Sequence, residues 1–117
     1  MASSRMRRVD EAIRAVLSDT LVQGLKDPRI GFVTVTDVST SPDLRHARVY
    51  VSVLGDHAAR TASLEGLHSA HGYLQSAINA ELRLKRTPEL RFVDDETVRR
   101  AARLEELLVD EEQGTSS

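Results

Sequence analysis

Arg83, Lys85 and Arg86 follow a helical stretch that is interrupted at Ala70-His71-Gly72, and Arg91 comes five residues later. Cations grouped at a helix end and the next strand can neutralise phosphates, each contact steepening the salt dependence of binding. Glycine inside a helix costs roughly 1 kcal/mol relative to alanine. A chain that carries that cost can use the break to bend, or to let another backbone come close. The N–H groups opening the second half would then face a phosphate. The plainer alternatives are a tight helix–helix corner at Gly72 and a solvated or helix-capping role for the cations. Arg5, Arg7 and Arg8 form a second basic group near the start. Arg29 and Arg45 sit in expected turns, and Arg48 on the outer face of an expected strand.

Other side chains offer less chemistry. His68 and His71 stand three apart on a helix, a spacing that suits a metal, but no third ligand and no H-E-x-x-H accompanies them. Asp94-Asp95-Glu96 could imitate a magnesium cluster, yet acidic residues at a helix start have a simpler electrostatic explanation. There is no P-loop, no G-x-S-x-G and no G-x-G-x-x-G. With 0 cysteines, disulfides and thiolate chemistry are excluded. No catalytic residue, metal or cofactor is expected. Phe32 and Tyr50 could share an open sheet face and stack bases, or simply be strand residues.

The elements that must position these groups follow from periodicity. Val9, Ala12, Ile13, Val16, Leu17 and Leu21 make one apolar stripe on a helix from about Arg5 to Gly24. Asp27-Pro28-Arg29 is a turn. Ile30 to Ser39 and Leu44 to Leu54 alternate as strands around Ser41-Pro42-Asp43. In the second strand Ala47, Val49, Val51 and Val53 share one face, and Arg48, Tyr50 and Ser52 the other. Asp56 caps a helix that runs to the break, and a second helix continues to Arg83. Pro88 precedes a short strand, Glu89 to Val93. A last helical repeat runs through Val98, Ala101, Ala102, Leu104, Leu107 and Leu108, and Asp110 to Ser117 reads as a disordered polar end.

The 117 residues suit one folded unit over 1–97, with a C-terminal helix and acidic tail over 98–117. Aromatics are only 3 %, so the core must be aliphatic. No apolar run approaches the roughly 18 residues of a membrane span. The basic start has no apolar segment after it, unlike a signal peptide. Residues 1–91 hold 13 Lys/Arg against 10 Asp/Glu, and residues 92–117 hold 3 against 8, so a mildly basic body carries an acidic tail.

The order α-β-β-α-break-α-β, with a trailing helix, describes an α+β fold: a three-stranded sheet covered by helices. It matches a type II K-homology (KH) domain, whose paired helices normally meet at a Gly-x-x-Gly loop that clamps single-stranded nucleotides. No Gly-x-x-Gly occurs here; Ala70-His71-Gly72 stands in its place. With that substitution, several strings resemble the ribosome-binding factor A family. They are Lys26-Asp27-Pro28-Arg29-Ile30-Gly31, Val33-Thr34-Val35-Thr36-Asp37-Val38, Ser41-Pro42-Asp43-Leu44, Ala47-Arg48-Val49-Tyr50-Val51-Ser52-Val53 and Arg86-Thr87-Pro88-Glu89-Leu90-Arg91-Phe92.

The resemblance implies a cytoplasmic, cofactor-free assembly factor for the small (30S) ribosomal subunit. It would contact 16S rRNA, promote maturation of the rRNA 5′ end and matter for growth in the cold. It would work as a monomer without covalent chemistry and without a membrane. The acidic end does not map onto the family pattern. Two other readings remain at this point. One is a helix-turn-helix that reads duplex DNA with Gln75, Asn79 and Arg83. The other is a protein–protein adaptor that uses the open sheet face or the acidic tail.

Overall fold

The computed structural model describes the backbone of residues 4–115 and the side-chain surroundings of residues 4–96 and 100–108. The first helix, α1, spans Ser4–Gln23 and buries Ile13 and Leu17 completely. It ends where Gly24 takes φ +90° and returns its N–H to the Leu21 carbonyl at 3.1 Å. Only a residue without a Cβ adopts that conformation freely.

Three strands form the sheet in the order β1-β2-β3: β1 is Val33–Thr40, β2 is His46–Val53 and β3 is Glu89–Asp94. β1 and β2 are an antiparallel hairpin, whereas β3 joins β2 in parallel. A parallel partner needs a long crossover. The helices α2 (His57–Ser69) and α3 (His71–Leu82) supply it. Ala47, Val49, Val51 and Val53 all face the core, as their alternation requires. They meet Leu67, Leu74 and Ile78 of the helix pair and Leu90 and Phe92 of β3. The helices thus cover one face of the sheet and leave the other open.

Both hairpin strands are shorter than the alternating pattern suggests. β1 starts at Val33 rather than Ile30 because the preceding turn is bound to α2. The buried Ser63 hydroxyl donates to the Arg29 carbonyl at 3.3 Å and accepts the Gly31 N–H at 3.1 Å. β2 starts at His46 because Leu44 has φ 60°, which breaks the extended run. The register slips between Val35 and Asp37, so one extra residue, Thr36, enters β1. The bulge keeps Val35 and Val38 on the same buried face, where strict alternation would turn Val38 outward.

Asp56 caps α2 as expected, accepting the Ala59 N–H at 2.8 Å. Deeper in the same helix, Gly66 is where the Asp27–Gly31 turn docks. A Cβ built there would lie 2.5 Å from Ile30 Cγ1 and 3.4 Å from an Asp27 carboxylate oxygen. Alanine at 66 gains about 1 kcal/mol of helix propensity but must displace Ile30, and overpacking costs about 1–3 kcal/mol. Gly66→Ala is therefore expected to lower the urea midpoint. A midpoint equal to or above wild type would show that Ile30 yields freely.

The last helix, α4, runs from Asp95 to Thr115, 21 residues. It extends beyond the helical repeat expected as far as Leu108, and the polar segment from Asp110 is helical through Thr115 rather than irregular. Residues 116–117 lie outside the described residues. Asp95 and Glu96 favour its N-terminus electrostatically, and Glu96 pairs with Arg100 one turn on at 3.0 Å. Its base is held by Arg60 of α2, whose guanidinium approaches Asp94 at 3.8 Å and Glu96 at 3.1 Å. Beyond that anchor Leu104, Leu107 and Leu108 are exposed, so this apolar stripe does not pack on the sheet.

Candidate nucleic-acid interface

The two helices of the crossover meet at Ala70, which has φ −89° and ψ 4°. The bend is therefore made by an alanine. His71 and Gly72 are already the first two residues of α3, and Gly72 does not adopt positive φ. Nor does Gly72 permit a tight corner within the chain. A Cβ there would meet no atom within 4 Å. The space in front of Gly72 is open to solvent, and the internal close approach belongs to Gly66 instead.

The elbow itself is accessible. His71, Gly72 and Tyr73 are exposed, with Ala70 partly so. No side chain caps the N-terminus of α3, so its leading N–H groups have no side-chain partner. His71 Nδ1 lies 2.6 Å from the His68 carbonyl. A carbonyl only accepts, so Nδ1 carries the proton and Nε2 of the neutral ring is left as an acceptor. A shallow pocket of about 510 Å³ adjoins the elbow, between Lys26 and Asp27 on one side and Ala70 and Tyr73 on the other.

The candidate cations fall into distinct places. Arg83 is the left-handed C-cap of α3, with φ 48°. It lies at the opposite end of that 12-residue helix from the elbow, about 18 Å away at 1.5 Å per residue. The basic run therefore does not flank the kink as its nearness in sequence suggests. Lys85 and Arg86 are exposed in the link to β3, and Arg91 is on the open face of β3. The Glu89 N–H donates to the Arg45 carbonyl at 2.8 Å, which brings Arg45 beside the start of β3. Asp10 of α1 accepts the Thr40 N–H at 2.9 Å, which sets the N-terminal half of α1 beside the β1–β2 turn. Arg5, Arg7 and Arg8, exposed in the first turns of α1, repel the positive end of its dipole, and that turn holds no acidic residue. One end of the molecule thus gathers cations from α1, the β1–β2 turn and the α3–β3 link.

Arg29 is committed elsewhere. Its guanidinium grips both carboxylate oxygens of Asp27, at 3.0 Å and 2.7 Å, and Asp27 also accepts the Arg29 N–H at 2.9 Å. The side-chain hydrogen bond from Arg29, then the backbone one, hold the Asp27 carboxyl below its ordinary range. A lowered native pKa adds stability above the unfolded value, and this is lost as pH falls through the native one. Asp27→Asn is accordingly expected to differ from wild type in Tm at neutral pH, with the gap closing only below the ordinary carboxylate range near pH 4. A gap unchanged at pH 2 would mean the ion pair is irrelevant to the turn. The Asp43 carboxyl is likewise lowered, first by the Ser41 hydroxyl and then by the Arg45 N–H.

Among the described residues, no group of three or more His, Asp or Glu side chains could hold a metal ion. Among the same residues, no helix is long and apolar enough to cross a membrane. Phe32 precedes β1 and is exposed, while Tyr50 is half-buried in register with Val93, so the two do not form a stacking platform together.

A mixed three-stranded sheet, covered on one face by helices that meet at an exposed elbow, defines a KH-like domain of the second type. The chain belongs to the ribosome-binding factor A family, whose sequence model matches residues 5–108. Ribosome-binding factor A of Anaeromyxobacter sp. (strain K) is 53 % identical over 106 residues, 90 % of this chain and 77 % of that one. A solution structure of a Thermotoga maritima ribosome binding factor A homologue superposes with TM-score 0.72 at 38 % identity, over 81 % of this chain and 91 % of its own. A homology model of the Thermus thermophilus ribosome binding factor A, fitted into a cryo-EM map of a 30S complex of that protein, matches with TM-score 0.60 at 26 % identity. That match covers 80 % of this chain and 93 % of the other.

Proposed function

We propose that this protein binds the immature small ribosomal subunit through its 16S rRNA and promotes late maturation, including formation of the rRNA 5′ end. The observation that carries this reading is the elbow: exposed, uncapped, and with empty space where a Gly72 side chain would project. An arriving phosphodiester can approach the α3 N-terminus there without displacing protein atoms. Family membership supports the same partner, as does the 30S complex of the Thermus homologue. Ala70, His71 and Gly72 would contact the backbone. Arg7, Arg8, Arg45, Arg83, Lys85, Arg86 and Arg91 would supply charge, with Arg29 playing a lesser part because Asp27 neutralises it. The mechanism is occupancy: a rigid surface stabilises one rRNA arrangement and blocks premature use of the particle. It needs no cofactor and breaks no covalent bond. The protein would act in the cytoplasm as a monomer and matter most in the cold, where misfolded rRNA escapes slowly.

The helix-turn-helix alternative loses one of its reading residues. Gln75 is partly buried, and its amide donates to the Pro88 carbonyl at 2.9 Å. The adaptor alternative uses the open sheet face or the acidic tail and requires no affinity for RNA at any salt concentration. Sucrose-gradient profiles of cell lysate test all three readings. Co-migration with free small subunits and absence from complete ribosomes is expected, together with accumulation of 5′-extended rRNA precursor when the gene is deleted. Migration at the top of the gradient would overturn the proposal.

A further inference from the structure

Arg48 and Arg91 are direct partners in the β2–β3 register, side by side on the face of the sheet that the helices leave open. Like charges directly opposite one another destabilise a sheet. Among the described residues, neither side chain makes an ion pair or hydrogen bond. Arg48 and Arg91 are among the residues lining a groove of about 740 Å³ that reaches from Ser41 and Pro42, at the β1–β2 turn, to His68 on α2. Its single carboxylate, Glu89, lies 3.8 Å from His46. His68 closes the other end: its Nε2 accepts the Phe92 N–H at the free edge of β3, at 3.4 Å. From there the elbow is three residues away, where His71 turns back to the His68 carbonyl.

We propose that the Arg48–Arg91 pair is a second phosphodiester site, on the open face of the sheet, for the RNA strand that passes the elbow. The inference rests on the reading above that the chain binds rRNA, and it adds the strand's path. From the elbow the backbone crosses the β3 edge beside His68 and runs over the paired arginines toward the β1–β2 turn. Two adjacent guanidiniums present two forks of N–H donors, a geometry suited to phosphate oxygens. The repulsion stored in the free protein is relieved when a phosphate enters between them.

That relief gives the test opposite signs in two measurements. The double variant Arg48→Gln, Arg91→Gln is expected to unfold at a higher temperature than wild type in low salt. The same variant should bind purified small ribosomal subunits more weakly, by about 25-fold at 0.1 M salt, with the log–log salt slope reduced by about 1.4 for two single-strand phosphate contacts. Arg48→Lys, Arg91→Lys should keep most of the slope. A double Gln variant that binds with unchanged affinity and slope, while wild type binds, overturns this site and leaves the rRNA reading standing. A variant that is less stable than wild type overturns it too, because the arginines would then be structural. If wild type itself fails to bind the subunits, the broader reading falls and this one with it.

Discussion

Gly72→Glu should make the protein more stable and leave it unable to hold the small subunit. The two effects come from the same place. Gly72 is the second residue of α3 and has ordinary helical conformation, so glutamate there gains about 0.5–1 kcal/mol of helix propensity. A carboxylate in the first turn interacts favourably with the dipole, adding about 0.3–1 kcal/mol. Nothing opposes the side chain, because the space around a Cβ is empty to 4 Å. A gain near 1 kcal/mol raises Tm by about 4 °C for a domain of this size. The carboxylate would stand where an rRNA phosphate is proposed to sit. Replacing attraction by like-charge repulsion at that spot should weaken co-sedimentation by about 100-fold, equivalent to roughly 2.8 kcal/mol. Unimpaired binding by this variant would show that the elbow does not touch RNA. Reduced stability would show that Gly72 has a packing role that the geometry does not reveal.

Leu74→Ala should be the most damaging single change to the fold. Leu67 and Leu74 stand on either side of Ala70, and each is completely buried. They belong, with Val49 and Val51 of the middle strand, to one buried core. Truncating leucine in such a site removes transfer energy and leaves a cavity, together about 2–5 kcal/mol. Small domains hold only about 5–15 kcal/mol in total, so the variant should lose a large share of its stability. Tyr73→Ala, one residue earlier, is the matched control. Tyr73 is 64 % exposed, and a surface change of this kind shifts stability by about 0.5 kcal/mol at most. Urea denaturation of the pair reads the difference. Equal midpoints would mean that α3 is not anchored through Leu74.

The element order, the Asp56 cap and the buried face of β2 were legible because each depends on a local pattern. Period-two alternation from Ala47 to Val53 needs no knowledge of distant residues. The β1 boundary was not legible, since it depends on Ser63, more than thirty residues away, holding Arg29 and Gly31. The bulge at Thr36 was hidden for a related reason: only the partner strand shows that the register has slipped. Gly66 looked like an ordinary helical position, and its importance appears only with Ile30 packed on it. At the candidate site, the exposed elbow was foreseen, but its hinge is Ala70 rather than Gly72. The cations adjacent in sequence proved to lie a helix length from it. Sequence distance along a helix became spatial distance, while Arg45 and the first turns of α1 were brought in by hydrogen bonds that no motif records. Arg48 stood on the outer strand face as expected, yet its pairing with Arg91 required knowing that β3 lies parallel to β2.

That parallel pairing has a consequence during synthesis. The strand that finishes the sheet is the last to be made. A nascent polypeptide that has released α1, β1 and β2 still lacks Leu90 and Phe92, and one side of β2 keeps its N–H and C=O groups unpaired. Until Asp94 leaves the exit tunnel the chain can be captured by any extended neighbour. Only a chain made through Asp94 can close its core, so termination upstream of β3 yields an aggregation-prone fragment rather than a smaller working protein.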